Sequence, residues 1–252
     1  MEKIILVTGA TSGFGKAIAE KFAVNGWNCI ITGRRADRLM QLASTLQSEH
    51  EVKILPLVFD VQDKDAVFQE LGNLPDEWQS IDVLVNNAGL ALGRDPFDAA
   101  SLADWETMID TNVKGLLYVS KAVLPYLVKK GSGHIINMGS TAAKEVYPNG
   151  NVYCASKSAV EAISKAQRID LLPYKIKVTA LHPGAVDTEF SIVRFKGDNA
   201  KAEAVYAGYE PLHATDIADV CYYCATLPAH VCINDLVITC TSQANSLFTF
   251  KG

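Results

Sequence analysis

The stretch "KIILVTGATSGFGKAIAEKFAVNG", residues 3–26, decides the fold. Four consecutive apolar residues, Ile4 to Val7, suit a strand covered on both faces. Glycines follow at Gly9, Gly13 and Gly15, and the apolar spacing then becomes helical. Ile18, Phe22 and, less strictly, Ala23 share one face before Gly26 ends the segment. Glycine lets the chain turn sharply and bring its backbone close to a phosphate. The helix that follows offers free N–H groups and a positive dipole end to a pyrophosphate. The spacing, Gly-x3-Gly-x-Gly, departs from G-x-G-x-x-G, and such turns also serve plain strand–helix packing. Its place at the first strand-to-helix turn is what points to a phosphate cradle. Thr11, Ser12 and Phe14 lie within that turn and join the glycines as candidate cofactor contacts.

Working outward, the same alternation continues. "NCIIT", "VKILPLVF", "IDVLVNN", "GHIINMGS", "KIKVTAL" and "DLVIT" read as further strands, and amphipathic segments lie between most of them. "DRLMQLASTLQSEH" carries Leu39, Leu42 and Leu46 on one face, and "TNVKGLLYVSKAVLPYLVKKG" reads as a longer helix that stops near Gly131. The pattern predicts an α/β, Rossmann-like, doubly wound parallel sheet of about seven strands with helices on both sides. No linker, repeat or low-complexity tract divides the 252 residues, so one domain, 1–252, is expected. The irregular segment before the last helix, about 185–215, is expected to form a small substrate lid.

Composition sets limits. Apolar residues make up 49% and charged residues 20%, an ordinary globular balance. The net charge of −5, without a basic run, argues against a nucleic-acid partner. The first apolar run is too short for a signal or a membrane span, and no later run is long enough, so a cytoplasmic protein is expected. The six cysteines read as free and buried; the CxxC of Cys221 and Cys224 lies on a helical pattern with no second ligand pair, and no metal site is expected.

The second strand ends in "ITGRRADRL". Many dinucleotide folds place an acidic residue there for the ribose hydroxyls; here Arg34 and Arg35 occupy the position. Two guanidiniums suit a 2′-phosphate and so favour NADP over NAD. A solvated basic helix start is the alternative, and it carries a small cost because cations are unfavourable there. After the third strand, Asp60 and Val61 can border an adenine ring, or Asp60 can cap the next helix.

"NVYCASK" places Tyr153 and Lys157 four residues apart, on one face of a helix expected over 152–171. A free phenol has a pKa of ~10, and lowering it by ~3 units takes ~4 kcal/mol. A nearby ammonium together with an oxidised nicotinamide is the expected source. By itself this spacing fits an ordinary surface pair. Its surroundings favour chemistry: Ser140 ends the preceding strand at the carboxyl edge, where such sheets bind ligands. Asn86 and Asn87, followed by Ala88 and Gly89, end the fourth strand at the same edge, either beside a ligand or tying strands together. Asn112, at the expected start of the long helix, would hold a water through its amide or serve as a cap.

Taken together, "TGATSGFG", "NNAG", Asn112, Ser140, "YCASK" and "PGAVDTEF" resemble the classical short-chain dehydrogenase/reductase family over essentially the whole chain. The resemblance implies that Tyr153 is the catalytic acid/base and that Ser140 polarises the reacting oxygen. It also implies that Lys157 binds the nicotinamide ribose and lowers the tyrosine pKa, and that Asn112 supports a relay water. Pro183, Gly184, Val186 and Thr188 would run along the nicotinamide end of NADP(H). "DWETMIDTNVKGL", "TEFSIVRFKGDNAKAE" and "LPAHVCIN" look like the subgroup of NADP-dependent 3-hydroxy acid dehydrogenases, which act on serine, allo-threonine and 3-hydroxypropionate. For such substrates Arg194, in the lid, is the candidate carboxylate anchor; an exposed lid charge or an oligomer contact is the alternative. A broad carbonyl reductase and a non-catalytic NADP-binding sensor or scaffold are the rival functions. The resemblance further implies a homotetramer, which would cover the phenylalanines of the tail "TSQANSLFTFKG".

Overall fold

The structure, a computed structural model, describes residues 2–252. Among them seven strands form one parallel sheet: β1 (Ile4–Val7), β2 (Asn28–Gly33), β3 (Ile54–Val58), β4 (Val83–Asn86), β5 (Gly133–Met138), β6 (Ile176–Pro183) and β7 (Asp235–Ile238). The spatial order is β3-β2-β1-β4-β5-β6-β7. The chain reverses its direction of winding between β1 and β4, and a crevice opens at the carboxyl ends of those two strands.

The helices are α1 (Gly13–Val24), α2 (Ala36–Glu49), α3 (Lys64–Gly72), α4 (Leu102–Ile109), α5 (Leu116–Lys130), α6 (Asn151–Asp170), α7 (Glu189–Arg194), α8 (Asn199–Tyr206) and α9 (Ala214–Thr226). Side-chain alternation along β1 divides the core in two. Ile5 and Val7 join Ile18, Phe22, Leu39 and Ile217 from α1, α2 and α9. Ile4 and Leu6 join Val67, Leu71, Val119 and Val123 from α3 and α5 on the other side. Burying aliphatic side chains of this size contributes about 1.5–3 kcal/mol each, which offsets the backbone entropy lost on ordering.

Three expectations are corrected. The central strands are covered on both faces, but β3 and β7 are edges: Val58 at the end of β3 is exposed, and exposed residues alternate along β7. Pro56 sits within β3, as an edge strand allows. Asp60 does not cap the next helix; Asp63 does, accepting the Ala66 N–H at 3.1 Å. Asn112 does not begin the long helix. The helical chain starts ten residues earlier, at Leu102, and passes through a π turn over Asp110–Gly115 before continuing as α5. Asn112 is inside that widened turn, an irregularity that recurs at functional sites. No helix among the described residues is long and apolar enough to cross a membrane.

Candidate active site

The turn between β1 and α1 builds the floor of the crevice. Gly9 and Gly13 have φ of +69° and +51°, a conformation that disfavours other residues. A Cβ on Gly9 would lie 3.0 Å from the Ala88 backbone. Gly15 acts differently: a side chain there would run into the Gly9 carbonyl and Asn87, so its role is close helix packing. The turn is bound to the loop after β4 through Thr8, whose hydroxyl accepts from the Asn87 and Ala88 N–H groups at 3.0 Å. Asn87 in turn donates to the Thr8 carbonyl at 2.8 Å.

At the end expected to take the adenosine, Thr11, Ser12 and Phe14 line the crevice with Arg34, Arg35, Asp60 and Val61. Arg35 donates to the Thr11 and Ser12 hydroxyls at 2.7–3.0 Å, and Arg34 pairs with Asp60 at 3.2 Å. Two further residues join them that sequence reasoning missed. Arg38, one turn into α2, and Glu189, the first residue of α7, are paired at 2.8 Å. An acidic residue in the first turn of a helix is ordinary, so the sequence carried no signal of that contact.

Asn86 is corrected. It is buried and turned away from the crevice, donating to Ser120 and Asn137 at 2.9 and 2.8 Å. It ties β4 to β5 and to α5. Ala88 and Gly89 do border the crevice. A Cβ on Gly89 would stand 3.2 Å from Asn112 Oδ1 and 3.4 Å from Lys157 Nζ, so glycine keeps that corner open.

At the other end, Ser140, Tyr153, Pro183, Gly184, Val186 and Thr188 line a continuous cavity with Arg194. Ser140 follows β5 and caps the short turn Thr141–Ala143, its hydroxyl accepting from the Ala142 N–H at 3.1 Å. That leaves its proton free to donate. Phe190 packs against the Tyr153 ring, with centroids 5.7 Å apart. The Arg194 guanidinium lies 5.4 Å from the same ring and donates to the Gly93 carbonyl and the Tyr147 hydroxyl. Arg94 also approaches Tyr147, its guanidinium 5.8 Å from the ring. Neither Tyr147 nor Arg94 stood out in the sequence, because neither shares a helical spacing with the expected site.

Tyr153 and Lys157 are both buried in α6. Lys157 Nζ donates to the Met138 carbonyl at 2.8 Å, and burial pulls its pKa down to about 8. Burial pushes the Tyr153 phenol up, as does the neighbouring Tyr147; Ser140 and Arg194 oppose the shift. Desolvation dominates at Tyr153, and the Lys157 ammonium is directed at a backbone carbonyl. With burial dominant the phenol keeps its proton and is placed to donate it.

Asn112 is also revised. Its amide donates to the Leu90 carbonyl and to Ser156, and its oxygen accepts from the Leu90 N–H at 2.8 Å. Both N–H donors are committed within the protein, so the amide's main work is to brace the π turn against α6. Ser156 completes that brace by donating to the Tyr153 carbonyl at 2.8 Å. The CxxC thiols of α9 are buried, and burial raises both, Cys224 to about 11.

The model of the family described as short chain dehydrogenase matches residues 3–199. The chain is 48% identical over 242 residues to the NADP-dependent 3-hydroxy acid dehydrogenase YdfG of Escherichia coli K12, covering 96% of each. It is 47% identical over 249 residues to sulfoacetaldehyde reductase 2 of Chromohalobacter salexigens, covering 98% of each. A solved closed form of serine dehydrogenase, complexed with NADP+, matches with a TM-score of 0.91 and 48% identity over 96% of this chain and 97% of that one. A glycine-floored crevice that ends on Ser140 and the buried Tyr153 and Lys157, in a chain matched by that model over most of its length, places the protein in the short-chain dehydrogenase family.

Proposed function

We propose that this chain transfers a hydride between NADP(H) and C3 of short 3-hydroxy acids, with serine, allo-threonine and 3-hydroxypropionate as the substrate class. The cofactor assignment rests on the glycine cradle and on Arg34 and Arg35 at its adenosine end, where related enzymes hold a ribose. When bound, the nicotinamide supplies or accepts the hydride. The chain's own residues do the rest. Tyr153 gives its proton to the carbonyl oxygen in reduction and takes it back in oxidation. Ser140 donates to the same oxygen as negative charge develops, a preorganised stabilisation. Lys157 keeps a cation beside Gly89 on the cofactor side.

The observation that carries the substrate class is Arg194. Its guanidinium shares the cavity with Tyr153 and Ser140, 5.4 Å from the phenol ring. A short substrate whose reacting oxygen meets Tyr153 presents its far end to that cation, and a carboxylate there forms a charge-assisted pair. A second reading is favoured by Arg94, which like Arg194 lies within 6 Å of the Tyr147 ring, at 5.8 and 5.6 Å. Two guanidiniums around one aromatic ring also suit a sulfonate, and two relatives are named sulfoacetaldehyde reductases. The neutral carbonyl-reductase reading has no such cation to use.

The test is a panel of serine, 3-hydroxypropionate, 2-hydroxyethanesulfonate and a neutral primary alcohol, with NADP+, on wild type and Arg194→Ala. The variant is expected to lose kcat/KM on the anionic members by roughly 10- to 100-fold, the scale of one charged hydrogen bond, and to leave the neutral alcohol nearly unchanged. Equal losses on all four substrates would remove the anchor.

We also read the chain as one domain whose lid is the segment 185–215, and as a homotetramer. Phe248 and Phe250 are 68% and 77% exposed on the tail, as is Leu247 beside them, an apolar patch that a second copy would cover. Light scattering that gives a monomer would reject the assembly.

A further inference from the structure

Helix α7 joins the two ends of the crevice. Its first residue, Glu189, faces the adenosine-end arginines, and its last, Arg194, faces Tyr153. One Glu189 oxygen lies 2.9 Å from Arg35 Nη1; the other lies 2.8 Å from Arg38 Nη1. The remaining edge of Arg35, Nε and Nη2, donates to the hydroxyls of Thr11 and Ser12 in the glycine-rich turn. The Arg35 fork is thus divided between the turn on one side and the lid on the other. Glu189 is the anion it holds, and the two guanidiniums, Arg35 first, keep that carboxyl below its ordinary range, so it is charged at neutral pH.

A 2′-phosphate seeking Arg35 brings roughly −1.5 to −2 charges and meets a carboxylate already in place. Two anions on one guanidinium repel, and one must yield. The pairs that hold Glu189 are half-exposed and therefore weak, whereas a phosphate can take the fork bidentately. We propose that Glu189 is a latch through which the lid senses the cofactor's 2′-phosphate. The phosphate takes Arg35, the carboxylate falls back on Arg38, and α7 is released to reset Arg194 against the substrate. A cofactor without that phosphate leaves the latch on Arg35. Glu189 is then a specificity-determining residue that links cofactor choice to the substrate end. The inference rests on the assignment of Arg35 to the 2′-phosphate.

The test uses Glu189→Gln, which keeps the size of the side chain and removes its charge. Calorimetric titration with 2′,5′-ADP is expected to show Kd tightened about three- to tenfold, the scale of one or two half-exposed ion pairs, with 5′-AMP binding unchanged. In wild type, amide hydrogen exchange over residues 189–206 is expected to respond to NADP+ and not to NAD+, and the variant is expected to lose that distinction. Unchanged or weaker 2′,5′-ADP binding overturns the latch, and so does an equal gain for 5′-AMP. Arg35→Ala separates the two claims. If it leaves 2′,5′-ADP binding intact, the phosphate assignment itself fails. If it weakens that binding while Glu189→Gln has no effect, the latch alone falls.

Discussion

The two ends of this crevice handle charge in opposite ways. At the nicotinamide end, Tyr153 and Lys157 are almost sealed, and burial drives the pKa of each toward its neutral form. At the adenosine end the ion pairs are half-exposed: Arg34 with Asp60, and Arg35 and Arg38 with Glu189. In the dry corner one charge shifts energies by several kcal/mol; in the wet corner each pair contributes roughly 0–1 kcal/mol and salt screens it. The difference fits two tasks. Proton transfer needs a few strongly perturbed groups, and holding a phosphate needs several weak, replaceable ones.

The largest expected effect tests the dry corner directly. Tyr153→Phe removes the proton donor while keeping the ring against Phe190, and kcat is expected to fall by about 10²–10⁴. Cofactor affinity should persist, as read by quenching of protein fluorescence. Retained turnover would mean that the proton comes from elsewhere.

Lys157→Met addresses the same corner through stability. The folded-state pKa of Lys157 is depressed from 10.5 to about 8. The native state therefore binds fewer protons than the unfolded chain between those values, and its stability rises with pH across that window. Below pH 8 the buried ammonium carries its full cost, on the order of 3 kcal/mol. The variant is expected to lose most activity and yet to gain stability at pH 7, with the gain shrinking toward pH 10. Urea denaturation at both values measures it. A variant less stable at pH 7 would show that the Met138 hydrogen bond outweighs desolvation.

The smallest effect belongs to the wet corner. Raising ionic strength from roughly 0.05 to 0.5 M shortens the screening length severalfold. KM for NADP+ is expected to rise several-fold, while kcat at saturating cofactor hardly moves. If kcat falls with salt as steeply as affinity does, the contrast between the two ends is wrong.

Much of this was legible beforehand because it depends on local order in the chain. Short continuous apolar runs placed the seven strands, and the 3.6 period located α1 and α2, since that period fixes which side chains share a face. The motif residues at strand ends could be located because a parallel sheet gathers those ends along one edge. Asn86 and Asn87 show the limit. They are adjacent and identical in type, yet one is buried as a tie between strands and the other borders the crevice, as successive strand-end residues point to opposite faces.

By itself, the sequence determined the sheet, its order of elements and the identity of the candidate acid, base and phosphate contacts. Only the tertiary structure decided what surrounds them. Burial is the largest influence on the Tyr153 phenol. A π turn, rather than a helix start, holds Asn112. Glu189 reaches Arg35 across 154 positions of chain. Desolvation and long-range ion pairs depend on distances that only the folded chain defines, and no periodicity in the sequence encodes them.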